Sequence, residues 1–147
     1  MNFDAFLTAL NNIQRSIAIT SPVSQTIRRT HWGPPAGTVN ELPCIINIMS
    51  ETDRTLGMAR RRESVYRISV QALIARATPE DERSGRIATA FWFAAKTAFD
   101  SDSTIGGTVT HARLVGAHPT VPVILQHAGQ AYIGFDATLE IQQVEVF

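Results

Sequence analysis

Ala131-Tyr132-Ile133-Gly134-Phe135-Asp136-Ala137-Thr138-Leu139-Glu140-Ile141-Gln142 alternates between apolar and polar residues. Ile133, Phe135, Ala137, Leu139 and Ile141 point one way, and Asp136, Thr138, Glu140 and Gln142 the other, because successive side chains of a strand leave opposite faces. A strand with one apolar face belongs to a sheet covered on that face. Its length adds a constraint. At about 3.3 Å per residue, residues 131–146 would reach about 53 Å, whereas a compact chain of this size is about 38 Å across. Either the strand bends, with Gly134 as the place for a bulge, or it projects beyond its own domain. Projection is the favoured reading, because a neighbouring subunit is the usual cover for open strand edges.

Working outward, Val121, Val123 and Leu125 mark a strand joined to this one by a hairpin turn at His127-Ala128-Gly129-Gln130. Gly106-Gly107 turns the chain into a strand at about 108–115. Further upstream, Tyr66, Ile68, Val70, Ala72 and Ile74 alternate with Arg67, Ser69 and Gln71, which implies a one-sided sheet. Residues 43–49, Pro-Cys-Ile-Ile-Asn-Ile-Met, are a β-branched run of strand length. Two amphipathic helices complete the pattern. Phe3, Phe6, Leu7, Leu10, Ile13 and Ile17 have helical spacing over residues 2–17. Thr78-Pro79-Glu80-Asp81-Glu82 opens the second helix, with Thr78 as cap, Pro79 first, and acids at the positive end of the dipole. Its broad apolar face runs from Ile87 to Phe99. Residues 20–42 and 50–63 read as loops. The expected class is α+β, a mainly antiparallel sheet with two helices packed on one face.

The 147 residues make one domain, 1–147, large enough for a core without disulfides or metal. Thirteen basic and thirteen acidic residues cancel, so no net field draws nucleic acid or anionic lipid to the whole molecule. Cys44 is the only cysteine, which excludes an internal disulfide. No apolar run suits a membrane span, and the first residues lack signal-peptide character, so the reading is a soluble domain made inside the cell. Lys96 is the one lysine among the thirteen cations. Arginine suits protein interfaces, although GC-rich coding produces the same bias.

Little in the chain reads as chemistry. His31, His111, His118 and His127 lack metal-ligand spacing, and scattered surface histidines explain them better than a site built from His111, His118 and Asp136. Cys44 sits in an apolar run and reads as a buried, inert thiol. No nucleophile elbow or phosphate-binding glycine loop occurs. No catalytic residue, metal or cofactor is expected. The concentrated feature is Arg60-Arg61-Arg62, with Arg54 on the same segment. These four read equally as a docking surface or as a solvated loop offset by Glu51, Asp53 and Glu63. Trp32, beside Gly33-Pro34-Pro35 and near Arg28 and Arg29, either anchors a partner or caps its own core. With Tyr132 on the long strand, these eight are the candidate interface residues.

The pattern resembles the tail terminator, or tail-completion, proteins of long-tailed bacteriophages. The likeness rests on the N-terminal helix before Glu41-Leu42-Pro43-Cys44-Ile45-Ile46, on Tyr66-Arg67-Ile68-Ser69-Val70, on the turn Ser103-Thr104-Ile105-Gly106-Gly107-Thr108-Val109, and on the strand 129–141. It covers about residues 3–145, with 20–42 matched least. The resemblance implies a non-enzymatic virion protein, assembled in the host cytoplasm, whose subunits form a homo-oligomeric ring, typically a hexamer. The ring would cap the head-proximal end of the tail tube and join it to the head connector, its partners being itself, the tube protein and a head-completion protein. DNA would cross the bore without sequence-specific contact. Another head–tail joining part, such as a head-closure or tail-tube protein, is the alternative, with a small metal-binding enzyme behind it.

Overall fold

In the computed structural model, which describes residues 2–58, 60–79, 81–117 and 121–146 and only the backbone of 50–58, the chain opens with α1 (Phe3–Ser16). The Asn2 side-chain oxygen accepts the Ala5 N–H at 3.1 Å, satisfying an amide the first turn leaves free. Phe6, Leu10 and Gln14, four residues apart, are its buried stripe. A short hairpin of β1 (Ala18–Ile19) and β2 (Gln25–Thr26) follows. Then come β3 (Arg29–Trp32), β4 (Cys44–Met58), β5 (Arg61–Arg76), α2 (Glu82–Ser101), β6 (His111–Gly116), β7 (Val123–His127) and β8 (Gln130–Val146).

The fold is α+β, with two helices and a mostly antiparallel, curled sheet. The strand order is β3-β4-β5-β8-β6, and β7 also pairs with β8. β3 runs parallel to β4. One sheet face and the two helices enclose the main core: Ile45, Ile68, Val70, Phe135 and Leu139 from strands, Phe6 and Leu10 from α1, Phe91 and Phe99 from α2. Ala88 and Ala95 are fully buried on α2, and their small side chains bring that helix close to the strands.

Several expectations change. Residues 50–63 are not a loop: β4 runs to Met58 and β5 starts at Arg61, one long hairpin paired from Met58↔Arg61 to Cys44↔Leu73. Residues 20–42 are not wholly irregular, since they hold β2 and β3. The α2 cap is Asp81, not Thr78, and the helix begins at Glu82 rather than Pro79. Asp81 accepts the Ser84 N–H at 2.9 Å, and a carboxylate is a stronger acceptor than a hydroxyl. Thr78 instead donates its hydroxyl to Asp81 at 3.2 Å.

The sheet is not one-sided either. Val39, Cys44, Ile46, Leu73, Leu125 and Tyr132 form a second, smaller core on its other face, beneath the segment 33–42. The long strand is also paired more fully than expected. β5 covers one side of β8 from Arg76↔Tyr132 to Arg61↔Val146, and β7 and β6 cover the other from Gln130 to Gln142. The irregularity lies on β5, where the register shifts between Leu73 and Ala75. Gly134 faces it, and a Cβ there would sit 1.7 Å from the Ala72 carbonyl oxygen. The open edge belongs instead to β4. β3 pairs only with Cys44–Asn47, and among the described residues no strand pairs with the outer side of β4 beyond them.

Candidate interaction surfaces

Past Val65, where β6 ends opposite Gln142, the sheet continues as three strands, β4, β5 and β8, out to Met58, Arg61 and Val146. From Val65 to Arg61 this arm extends about 13 Å. At its base the register is interrupted twice on β4, between Met49 and Glu51 and between Glu51 and Arg54, and such irregularities twist a strand. Arg60 occupies the turn with φ 63°, and Arg60, Arg61 and Arg62 are all exposed. Arg62 lies opposite Glu145 and Arg67 opposite Glu140. Arg113 reaches Glu140 at 3.1 Å, and the Gln142 amide donates to Glu63. The arm is therefore a polar, charge-laced ribbon with an arginine tip. Arg54 lies opposite Val65, and its side chain falls outside the described residues.

A second feature occupies the β3 margin. Arg28 donates its amide to the Pro43 carbonyl at 2.8 Å, which draws the chain alongside β4. Arg29 pairs with Glu41 at 3.5 Å, both well exposed, so the pair adds little stability. The Trp32 ring meets Phe3 edge-on, centroids 5.3 Å apart. Trp32 thus covers the start of α1 yet stays 37 % exposed, beside Phe3 at 41 % and Met49 at 45 %. Trp32 lies opposite Asn47, and Met49, two residues on, shares that face.

Tyr132 is not a surface residue. It is fully buried, and its hydroxyl accepts the Val39 N–H at 3.4 Å, tying the segment 33–42 to the second core. The His127 Nε2 lies 3.1 Å from the Gly37 carbonyl. His31 borders the same segment, and its Nε2 is buried without a partner among the described residues. Burial holds the His31 imidazole below its ordinary value, Arg29 and His127 add to this, and Glu41 opposes it. Burial pushes the Cys44 thiol up to about 11.

The arginine tip and the Trp32 margin do not converge. Met58 lies eleven positions along β4 from Asn47, on the order of 35 Å. His111 and Asp136 are apart as well: His111 lies opposite Gln142, six residues along β8 from Asp136, or about 20 Å. His118 and Glu80 fall outside the described residues. Among the described residues no three His, Cys, Asp or Glu side chains gather as a metal site.

One surface escaped the sequence reading. Gly85, Ala90 and Phe93 of α2 with Pro122 and Ile133 line an apolar groove of about 590 Å³. Gly85 brings α2 close to this floor: a Cβ there would lie 3.3 Å from the Pro122 ring, which would have to give by a few tenths of an ångström. Phe93 is 64 % exposed, and Ile124, the cross-strand partner of Ile133, is 58 % exposed. Phe93 lies off the buried series Ile87, Ala88, Phe91, Ala95, Phe99, and that offset was the available signal.

The chain matches no known protein-family model, and no curated protein matches it in sequence.

Proposed function

We propose that this chain is a structural subunit of the tail-terminator type, which closes into a ring, six copies in the form the resemblance implies, at the head-proximal end of a phage tail tube. The observation that carries this reading is the three-stranded arm and the outer edge of β4, beside which, among the described residues, no strand lies beyond Asn47. Unpaired strand edges on a long ribbon attract further strands, and a heterologous contact that closes by rotation yields a ring. The arginine tip supplies a docking point for the tube or the head connector. A chain of zero formal net charge suits a bore through which DNA slides, since phosphate binding rests on accumulated cations.

The test is native mass measurement of purified protein over a range of concentrations, with electron microscopy of tails assembled with and without it. Closed rings and tubes of uncontrolled length in its absence are the expected results. Long fibres of the purified chain would identify a tube protein instead. A chain that stays monomeric and whose loss leaves tube length normal would end the proposal.

A further inference from the structure

We infer that the next copy of this chain covers the open β4 edge with its own β6, Thr55 lying opposite Gly116 and Gly57 opposite Leu114. The inference rests on the ring reading and names the strand that fills the edge on which that reading stands. β6 ends the strand order on the far side of the sheet. Among the described residues no strand lies outside it, so the sheet has a second open margin.

Backbone parity decides which groups are free. Asn47 turns its carbonyl outward to the Gly33 amide at 2.7 Å, and it lies opposite Val70. Inward and outward groups alternate along an antiparallel ladder. Counting by twos down β5, Ile68, Ser64 and Arg62 mark Met49, Thr55 and Gly57 as outward positions of β4. The two register interruptions fall between Met49 and Arg54, and bulges hinder the addition of a strand. The regular open stretch is therefore 54–58, where Thr55 and Gly57 direct their N–H and C=O groups away from β5.

β6 offers the matching set. The Ala112 amide donates to the Ser103 carbonyl at 2.6 Å, away from β8, whereas the Ala117 amide donates to Asp136 on β8 at 3.1 Å. Leu114 and Gly116 share the outward parity of Ala112. With the Ala112 N–H already taken, only Leu114 and Gly116 can form complete bonded pairs, which fixes the register on Gly57 and Thr55.

Faces, directions and stagger agree with this register. Thr55 and Gly57 lie opposite Ser64 and Arg62, which continue the helix-side series of Ile68 and Val70, and Leu114 belongs to the same main core. Opposed residues share a face, so the joined sheet keeps the helices of both copies on one side. Strand direction alternates through β4, β5, β8 and β6, so a copy brought alongside by rotation presents β6 antiparallel to β4. Within one copy Leu114 is level with Ile68, six positions along β5 from Arg62, the partner of Gly57. That offset is about 20 Å, against about 19 Å for four strand spacings. The strands then tilt by about 45°, the upper end of the range in closed barrels. Pairing β4 with a second β4 meets the same parity, but it ends at a dimer and leaves β6 bare in both copies.

Between the two bonded pairs Leu56 meets Val115 in a non-bonded pair, with Cα atoms about 4.5 Å apart, within disulfide reach. The experiment mixes full-length Leu56→Cys and Val115→Cys under mild oxidation at assembling concentration, the native Cys44 being fully buried. The expected product is a disulfide dimer that forms only when both variants are present. Leu56→Cys homodimers would overturn the inference in favour of the two-fold β4 contact. Rings that assemble from the mixture with no cross-link would overturn it while leaving the ring reading intact. Absence of any assembly, in wild type as well, would overturn both. As a second measurement, Thr55→Pro removes an outward N–H that β5 does not use, a change that edge strands tolerate. It should raise the concentration needed for ring formation at least about tenfold while leaving the monomer's unfolding midpoint nearly unchanged. An unaltered assembly concentration would also overturn the inference.

Discussion

Gln14 on α1 and Asn47 on β4 exchange two hydrogen bonds in the interior, Gln14 donating to Asn47 at 2.7 Å and Asn47 donating back at 2.8 Å. Both side chains are fully buried. Asn47 also donates to the His31 carbonyl at 3.2 Å, so one amide fixes the helix, β4 and β3 in mutual register. Apolar packing alone tolerates sliding of a helix over a sheet, whereas paired amides hold one position.

Replacing one partner strands the other. Gln14→Leu should cost about 1–3 kcal/mol, read as a lower urea midpoint with unchanged slope. The double variant Gln14→Leu with Asn47→Leu should recover part of the loss, because no unpaired amide remains between those two positions. If the double loss equals the sum of the two single losses, the pair is not coupled.

Gly134 marks the place where β8 passes the irregularity in β5. A methyl group there would collide with the Ala72 carbonyl oxygen, which is backbone and cannot swing away. Gly134→Ala should cost at least about 2 kcal/mol, measured by denaturant unfolding. A loss below half that amount would mean the two strands separate easily.

Acid should loosen the segment 33–42. The folded-state value of His31 is lowered from 6.5, burial being the largest cause, so the native state favours the neutral ring. The stabilisation is complete above about pH 6.5 and is lost as pH falls through the lower folded value. Labelling of Cys44, which lies in the core beneath that segment, should accelerate between pH 6.5 and 5 relative to the thiol's intrinsic rate. His31→Phe should flatten that acceleration. Equal slopes in both proteins would remove His31 as the cause.

Charge reversal at the arm tip should separate folding from assembly. Arg60→Glu with Arg61→Glu changes exposed side chains and should alter stability by under about 0.5 kcal/mol, while weakening attachment to tails in a pull-down. Ile68→Ala, in the main core, should cost about 2–5 kcal/mol. A tip variant that unfolds as readily as Ile68→Ala would make the arm part of the core.

The legible parts of the fold are those where one chain segment carries its own signal. β5 and β8 alternate because one face of each meets the helices, and α1 and α2 show their stripes for the same reason. The far half of β4 carries no such signal. Ser50-Glu51-Thr52-Asp53-Arg54 is polar and poor in strand formers, and it is extended because β5 pairs with it. β3 likewise depends on β4. Tyr132 reads as a surface residue from sequence because its face of the sheet is covered by residues 33–42, a segment whose own sequence names no target. Trp32 was visible as an aromatic in a polar stretch. The groove was not, since Phe93, Pro122 and Ile133 come together only through the tertiary fold.

The position of β8 between β5 on one side and β6 and β7 on the other has a consequence for biogenesis. All three neighbours are synthesised before it, so the sheet holds a vacant slot until residues 130–146 leave the ribosome. Pairing of that kind is distant in sequence and slow to form. Ile133, which floors the groove, is on this late strand, so the groove takes its final form only once β8 has docked.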